Sequence, residues 1–334
     1  MKQVKFHRTA GLLVTMLLLT LAAQVPAQDK PVNQCITGDW KVKLDFNGRQ
    51  MEAILSFTKD ADGKLTADWI SGWGVSKLSD IKYEEGKLSF VRINRFRETE
   101  STSNFTGTIK DGRLSGTLSG SRGQSTVDGM KVKPMPAAAG NWQIKTKRAQ
   151  RETTATLTVK ADKDGKLTAQ WQGRRGESQI TDINFSDGKL TFKRKSTYNE
   201  RQWESTYELT VKAGTLSGTV TTARGQAEVE GKLVGADLIG KWELTIASER
   251  GQRKQILHVN GDMSGMYGST AIDKVNLEDD QVSFKLVMGF GERTFDIEFK
   301  GKLAGGKLTG QITGFRDSVR KVDGTKLIEA DKKG

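Results

Sequence analysis

Three aromatic-x-glutamate triplets stand at matching places along the chain: Phe96-Arg97-Glu98, Tyr198-Asn199-Glu200 and Phe290-Gly291-Glu292. On a strand, residues i and i+2 face the same side. A ring and a carboxylate so spaced could stack a sugar and accept hydrogen bonds from its hydroxyls. The plainer alternative puts them at a strand end, each glutamate paired with a neighbouring Lys or Arg for under about 1 kcal/mol. Trp73 and Trp203 are candidates of another kind, because the matching positions of the other copies hold no tryptophan. A ring that the repeat does not demand is either exposed for contact or filling a local gap.

Catalytic chemistry has little to work with. Beyond residue 27 the chain has one histidine, His258, flanked by Leu257 and Val259, and one cysteine, Cys35. A Ser-His-Asp set would depend on that histidine, and no Gly-x-Ser-x-Gly elbow is present. One His and one Cys do not make the usual zinc or copper site. No phosphate-cradling loop or dinucleotide fingerprint occurs, so no cofactor is assigned. What survives is glycoside hydrolysis by two acids about 5 to 10 Å apart. Glu98 and Glu100 have a suitable spacing, but Glu100 becomes Gln202 and Thr294 in the other copies. Asp60, Asp62, Asp162 and Asp164 could offer oxygens to calcium, yet they read as hairpin turns. No catalytic or metal-binding residue is assigned.

These residues sit in a unit written three times. Gly38-Asp39-Trp40, Gly140-Asn141-Trp142 and Gly240-Lys241-Trp242 open the copies, about 100 residues apart. Each copy continues through Leu88-Ser89-Phe90, Leu190-Thr191-Phe192 or Val282-Ser283-Phe284 to a Leu-Ser/Thr-Gly box at Leu114, Leu216 or Leu308. Copies one and two share Asp-Gly-Lys-Leu-Thr-Ala-x-Trp, ending at Trp69 and Trp171; copy three has a shorter hairpin with Met266 and Tyr267 there. The period is too long for a solenoid turn and near the size of a self-sufficient domain. We read 1–27 as a signal peptide, 28–36 as a leader, 37–134, 139–234 and 238–328 as the repeats, and 329–334 as a charged tail. The linkers are the Pro- and Ala-rich Pro134–Ala139 and Gly235–Asp237.

Alternating apolar residues broken by Asp62-Gly63, Glu85-Gly86, Asp111-Gly112, Asp164-Gly165, Asp187-Gly188 and Ala213-Gly214 predict hairpins every 10 to 12 residues. The fold class expected is all-β: three tandem small antiparallel β-barrels, each an up-and-down meander of about eight strands. Closure is the simplest way to remove the edges of such a meander.

A Gly-x-Trp on the first strand, an eight-strand meander and a late arginine together resemble the lipocalin/calycin barrels and the short lipocalin-like repeats of exported bacterial proteins. The resemblance spans all three copies. It implies that the tryptophan plugs the closed end and that an arginine packs across its ring. The pairs would be Trp40 with Arg122, Trp142 with Arg224, and Trp242 with Arg316. A barrel of this size can be filled by its own side chains or hold one small ligand.

Lys2, Lys5 and Arg8, the apolar run Leu12–Ala23 and Val25-Pro26-Ala27 form an export signal, with cleavage expected near Ala27. No second apolar stretch follows, so no membrane span is expected and the destination is the periplasm or the exterior. Cys35 cannot form an internal disulfide, and Val32-Asn33-Gln34 lacks the small residues of a lipidation box. The formal charge is +13; three basic residues lie in the signal, leaving +10. Copy two carries the largest excess, with Arg148, Arg151, Arg174, Arg175 and Lys193-Arg194-Lys195. Such a surface suits anionic partners, but the charges are interspersed with acids and no nucleic-acid-reading motif occurs.

The expected function is a monomeric, non-catalytic exported binding protein that engages a glycan or a small amphipathic ligand through its barrels. The alternatives are an envelope-associated structural or interaction protein on anionic surface polymers, and a carboxylate-based glycoside hydrolase.

Overall fold

The computed structural model describes residues 36–327, without 47, 97–98, 122, 175–177, 199, 249–250, 291–292 and 315–317. The side chains of residues 46, 95–96, 198, 248 and 290 also lie outside the description. Among the described residues there is no helix, and therefore none long and apolar enough to cross a membrane. The chain forms three antiparallel β-barrels of eight, eight and nine strands.

Barrel one is β1 (Gly38–Phe46), β2 (Arg49–Lys59), β3 (Leu65–Ser71), β4 (Gly74–Glu84), β5 (Lys87–Phe96), β6 (Thr99–Lys110), β7 (Arg113–Gly120) and β8 (Gly123–Lys131). Barrel two repeats the plan as β9 (Gly140–Arg148), β10 (Arg151–Ala161), β11 (Leu167–Gly173), β12 (Ser178–Ser186), β13 (Lys189–Tyr198), β14 (Arg201–Lys212), β15 (Thr215–Thr222) and β16 (Gly225–Leu233). Barrel three is β17 (Gly240–Ser248), β18 (Gly251–Val259), β19 (Gly265–Tyr267), β20 (Thr270–Ile272), β21 (Val275–Glu278), β22 (Gln281–Phe290), β23 (Arg293–Ala304), β24 (Lys307–Thr313) and β25 (Val319–Lys326). Every strand pairs with its sequence neighbour except at one seam in each of barrels two and three, and the last strand returns to the first.

The turns show why a meander forms. Glu85-Gly86, Asp111-Gly112, Asp187-Gly188 and Ala213-Gly214 all have positive φ at both residues, between 47° and 79°. That is the type I′ geometry whose twist matches antiparallel strands. At Asp60 and Asp162, by contrast, the Oδ1 atom accepts backbone N–H groups two and four residues on, which shapes a longer turn.

Only barrel one closes by a continuous ladder, because β3 and β4 pair across the two-residue turn Gly72-Trp73. In barrel two the corresponding connection is four residues long, and β11 packs beside β12 without a ladder. Barrel three has the shortened hairpin β19–β20 at this place, separated from β21 by Asp273 and Lys274.

Each barrel fills itself. Trp40, Trp142 and Trp242 are buried at one end, which we call the closed end. Their indole N–H groups donate to the carbonyls of Ile36, Ala138 and Leu238 at 2.9, 2.8 and 2.7 Å, always four residues earlier. The tryptophan thus fastens the incoming chain across the barrel floor. Above it lies an aromatic trio: Trp69, Phe90 and Phe105; Trp171, Phe192 and Tyr207; Tyr267, Phe284 and Phe299. The second and third rings of each trio stack at 4.6, 4.5 and 5.0 Å. Such offset pairs contribute roughly 0.5 to 1.5 kcal/mol beyond their area.

Barrel three touches both of the others. Ile54 and Ile70 of barrel one and Ile256 of barrel three form a buried cluster outside either interior, with Val75 and Met266 against it. Beside it Gln255, fully buried, donates to the carbonyls of Ser71 and Gly72 at 3.0 and 3.2 Å. Asp39 and Lys241, the middle residues of two Gly-x-Trp motifs, form an ion pair at 2.8 Å in which each side chain keeps only 20% of its exposure. Asn141 stands at the same place in barrel two and accepts from Thr158 of its own barrel instead. Barrel two meets barrel three where Gly261 runs against Ala139 and Gly140, too close for a side chain on either glycine.

Candidate functional site

The chemistry collects at the open ends, opposite the buried tryptophans. In barrel two β13 runs upward through Leu190, Phe192 and Arg194, which share the inward face by strand alternation. The Arg194 guanidinium therefore lies inside the barrel, 4.6 Å over the Trp171 ring and 5.7 Å from Tyr207. Just above it, Ser178 and Ser196 share a hydrogen bond at 3.2 Å. Ser205, buried, is the strand partner of Arg194, and Trp203, two residues further along the same face, stands at the rim with 40% exposure.

Barrel one builds the same layer from Leu88, Phe90 and Arg92. The Arg92 guanidinium lies 4.6 Å over Trp69, with Nη2 3.5 Å from the Ser76 hydroxyl, which in turn donates to Asn94. Burial depresses Arg92 to about 10, because desolvation opposes the charged form. The Nε atoms of Arg92 and Arg194 are buried and accepted by nothing. Among the described residues neither arginine has an ion pair. An indole face contributes roughly 0.5 to 2 kcal/mol to holding such a cation, but it leaves each Nε–H unanswered.

In barrel three the matching residue is Leu286, with Met288 above it, both buried. A cation still approaches the trio from another strand. Arg253 on β18 faces the buried hydroxyl of Tyr267. Burial pushes that phenol up, while Arg253 and Arg320 pull it down.

Of the residues singled out from the sequence, Trp40, Trp142 and Trp242 are buried at the closed ends. Among the described residues, the cation facing two of them is a lysine. Lys131 Nζ lies 5.8 Å from Trp40 and Lys326 Nζ 5.7 Å from Trp242, while Leu233 pairs with Trp142 in barrel two. Arg224 is exposed in the β15–β16 turn at the opposite end from Trp142, which corrects the pairing of those two. The last strand carries a residue at its end back to the tryptophan, whereas the turn before it lies a barrel length away. Arg122 and Arg316 lie outside the described residues.

The aromatic-x-glutamate triplets do not stay on a strand. β13 ends at Tyr198, and Glu200 is exposed in the turn with φ of 61°, so the same-face rule does not reach it. β5 and β22 likewise end at Phe96 and Phe290. Glu98 and Glu292, and the side chains of Phe96, Tyr198 and Phe290, lie outside the described residues. So do Cys35, Arg175 and the export signal. Trp73 is 50% exposed in the β3–β4 turn, next to the contact with barrel three. His258 is half-buried between inward-facing Leu257 and Val259, opposite Lys241 on β17.

The interior arginines went unread in the sequence although a signal was there. Leu88-x-Phe90-x-Arg92 and Leu190-x-Phe192-x-Arg194 keep the period of two, which assigns the arginine to the same face as the core residues. The charge disguised it as a surface residue.

No protein-family model matches the chain, and no curated protein matches it. Among solved structures, one named as an outer membrane protein of Bacteroides fragilis is 12% identical over 87% of this chain and 98% of its own, with a TM-score of 0.24. A double mutant of transferrin binding protein B from Haemophilus parasuis is 11% identical over 87% of this chain and 76% of its own, at 0.19. A protein of unknown function from Nostoc punctiforme is 9% identical over 87% and 96%, at 0.13. At these scores the likenesses carry no argument about function.

Proposed function

We propose that this is an exported, non-catalytic binding protein that takes a small glycan or amphipathic ligand at the open mouth of a barrel, barrel two foremost. The observation that carries the reading is Trp203. It is a half-exposed indole at the rim of a mouth lined by the hydroxyls of Ser178 and Ser196, with Arg194 below. A ring at the lip with a few convergent polar groups beneath is the usual plan of a small-ligand site. The aromatic trio fills the lower barrel, so the ligand enters only above it and does not thread a deep apolar cavity. Residues 1–27 supply export. The chain as exported is monomeric, with its barrels held by barrel three, and it requires no metal or cofactor.

Native mass spectrometry of the protein purified from its own host tests this. A bound species in stoichiometric amount, lost from Trp203→Ala, supports the reading. An empty wild-type protein overturns it in favour of an outer-surface role on anionic envelope polymers. The basic excess of copy two favours that second reading, and salt-sensitive binding to such a polymer would identify it.

A further inference from the structure

We infer that the mouths of barrels one and two are selective for a carboxylate, which Arg92 and Arg194 receive inside the barrel; this rests on the binding role proposed above. The geometry is the same in two copies whose outer faces have diverged. In each, the guanidinium carbon lies 4.6 Å over an indole ring, and the buried Nε–H has no acceptor among the described residues. In each, a hydrogen-bonded pair of hydroxyl or amide side chains on two adjacent strands, Ser76 with Asn94 and Ser178 with Ser196, stands one step nearer the open end. Hydroxyls can donate to an anion as well as accept, and a planar guanidinium fork matches a carboxylate in two-point contact.

A desolvated arginine without a carboxylate is costly to the fold. Barrel three shows that the position does not require it, since Leu286 occupies the same place in a well-packed mouth. Retention of the arginine in the other two is therefore not explained by folding. An incoming carboxylate would supply the missing acceptor. Barrel three is not a third such site, because Arg253 arrives from β18 with its stem against Gly74 of barrel one, and Leu286 and Met288 close the mouth.

A carboxylate can arrive on an acyl chain or on a uronic acid, so the test has two arms. Isothermal titration of the full-length protein uses dodecanoate against dodecanol, and a galacturonate trisaccharide against its neutral galactose counterpart. In one arm the carboxylate probe is expected to bind at two sites and at least about tenfold more tightly than its neutral partner. Arg92→Leu and Arg194→Leu each install the residue that barrel three already carries at Leu286. Each should remove one of the two sites for the carboxylate probe, and the double variant both. Circular dichroism checks that the variants keep their barrels. Equal binding of charged and neutral probes, or two sites surviving in the double variant, overturns carboxylate selection. The mouth as a binding site stands independently if Trp203→Ala weakens the neutral probe. No binding in either arm overturns both.

Discussion

Barrels one and two have nearly the same interior and opposite exteriors. Trp40, Leu55, Phe57, Trp69, Leu88, Phe90 and Phe105 are answered by Trp142, Leu157, Val159, Trp171, Leu190, Phe192 and Tyr207. Outward, Ile54 and Ile70 of barrel one become Thr156 and Gln172 of barrel two, and Asp39 becomes Asn141. The apolar version is pressed against barrel three; the polar version faces water. Duplication preserved what each barrel needs to fold and released the outer faces. The differences between copies therefore report contacts outside the barrel.

The comparison can be broken in order of expected effect. If the two interiors are equivalent, Trp40→Ala and Trp142→Ala should each cost about 3 to 5 kcal/mol, felt within the altered barrel alone. Hydrogen exchange resolved by segment checks this, and a loss that spreads from barrel two to barrel one would refute it. If the exteriors differ as described, Ile54→Lys should cost about 2 to 4 kcal/mol by burying a charge at the barrel one–three contact. Thr156→Lys should change stability by less than about 0.5 kcal/mol in the same denaturant titration.

The motif residues give a smaller contrast. Asp39→Asn leaves Lys241 without its ion pair and should cost about 1 to 2 kcal/mol, with Ser56 losing a charged acceptor too. Asn141→Asp has no such cation to lose and should be nearly neutral. A double-mutant cycle with Lys241→Met isolates the pair.

Arg92→Leu reverses the sign. The depressed value of Arg92 corresponds to a cost of roughly 3 kcal/mol for holding the cation, offset by roughly 0.5 to 2 kcal/mol from the Trp69 face. The leucine variant should therefore be about 1 to 2.5 kcal/mol more stable at neutral pH. A cation whose folded value is lowered exerts its full cost below about 10 and sheds it as pH rises through that value. The advantage of the variant should shrink between about pH 9 and pH 11 in urea unfolding.

Much of the fold was legible because it is local. Asp111-Gly112 and Asp187-Gly188 dictate a two-residue turn by backbone sterics alone, and alternation from Leu190 to Phe192 places a face without reference to the rest of the chain. Three Gly-x-Trp motifs counted the barrels. The pairing of cation with tryptophan was not legible, because it depends on which end of the last strand returns to the first. A resemblance pointed to Arg224, whereas the ladder brings Lys131, Leu233 and Lys326 to that place.

Hairpin chemistry and period-two patterning act over a few residues, so the order of amino acids is enough to specify an all-β chain of three repeated meanders, with its turns and inward faces. That Asp39 meets Lys241, about two hundred residues away, follows from how the barrels assemble. The same assembly makes Ile54 and Ile70 a contact surface, and barrel closure sets Arg92 and Arg194 inside over an indole, with no ion pair among the described residues. Those outcomes follow from barrel closure and from which barrels touch, and closure brings together residues that no local rule connects.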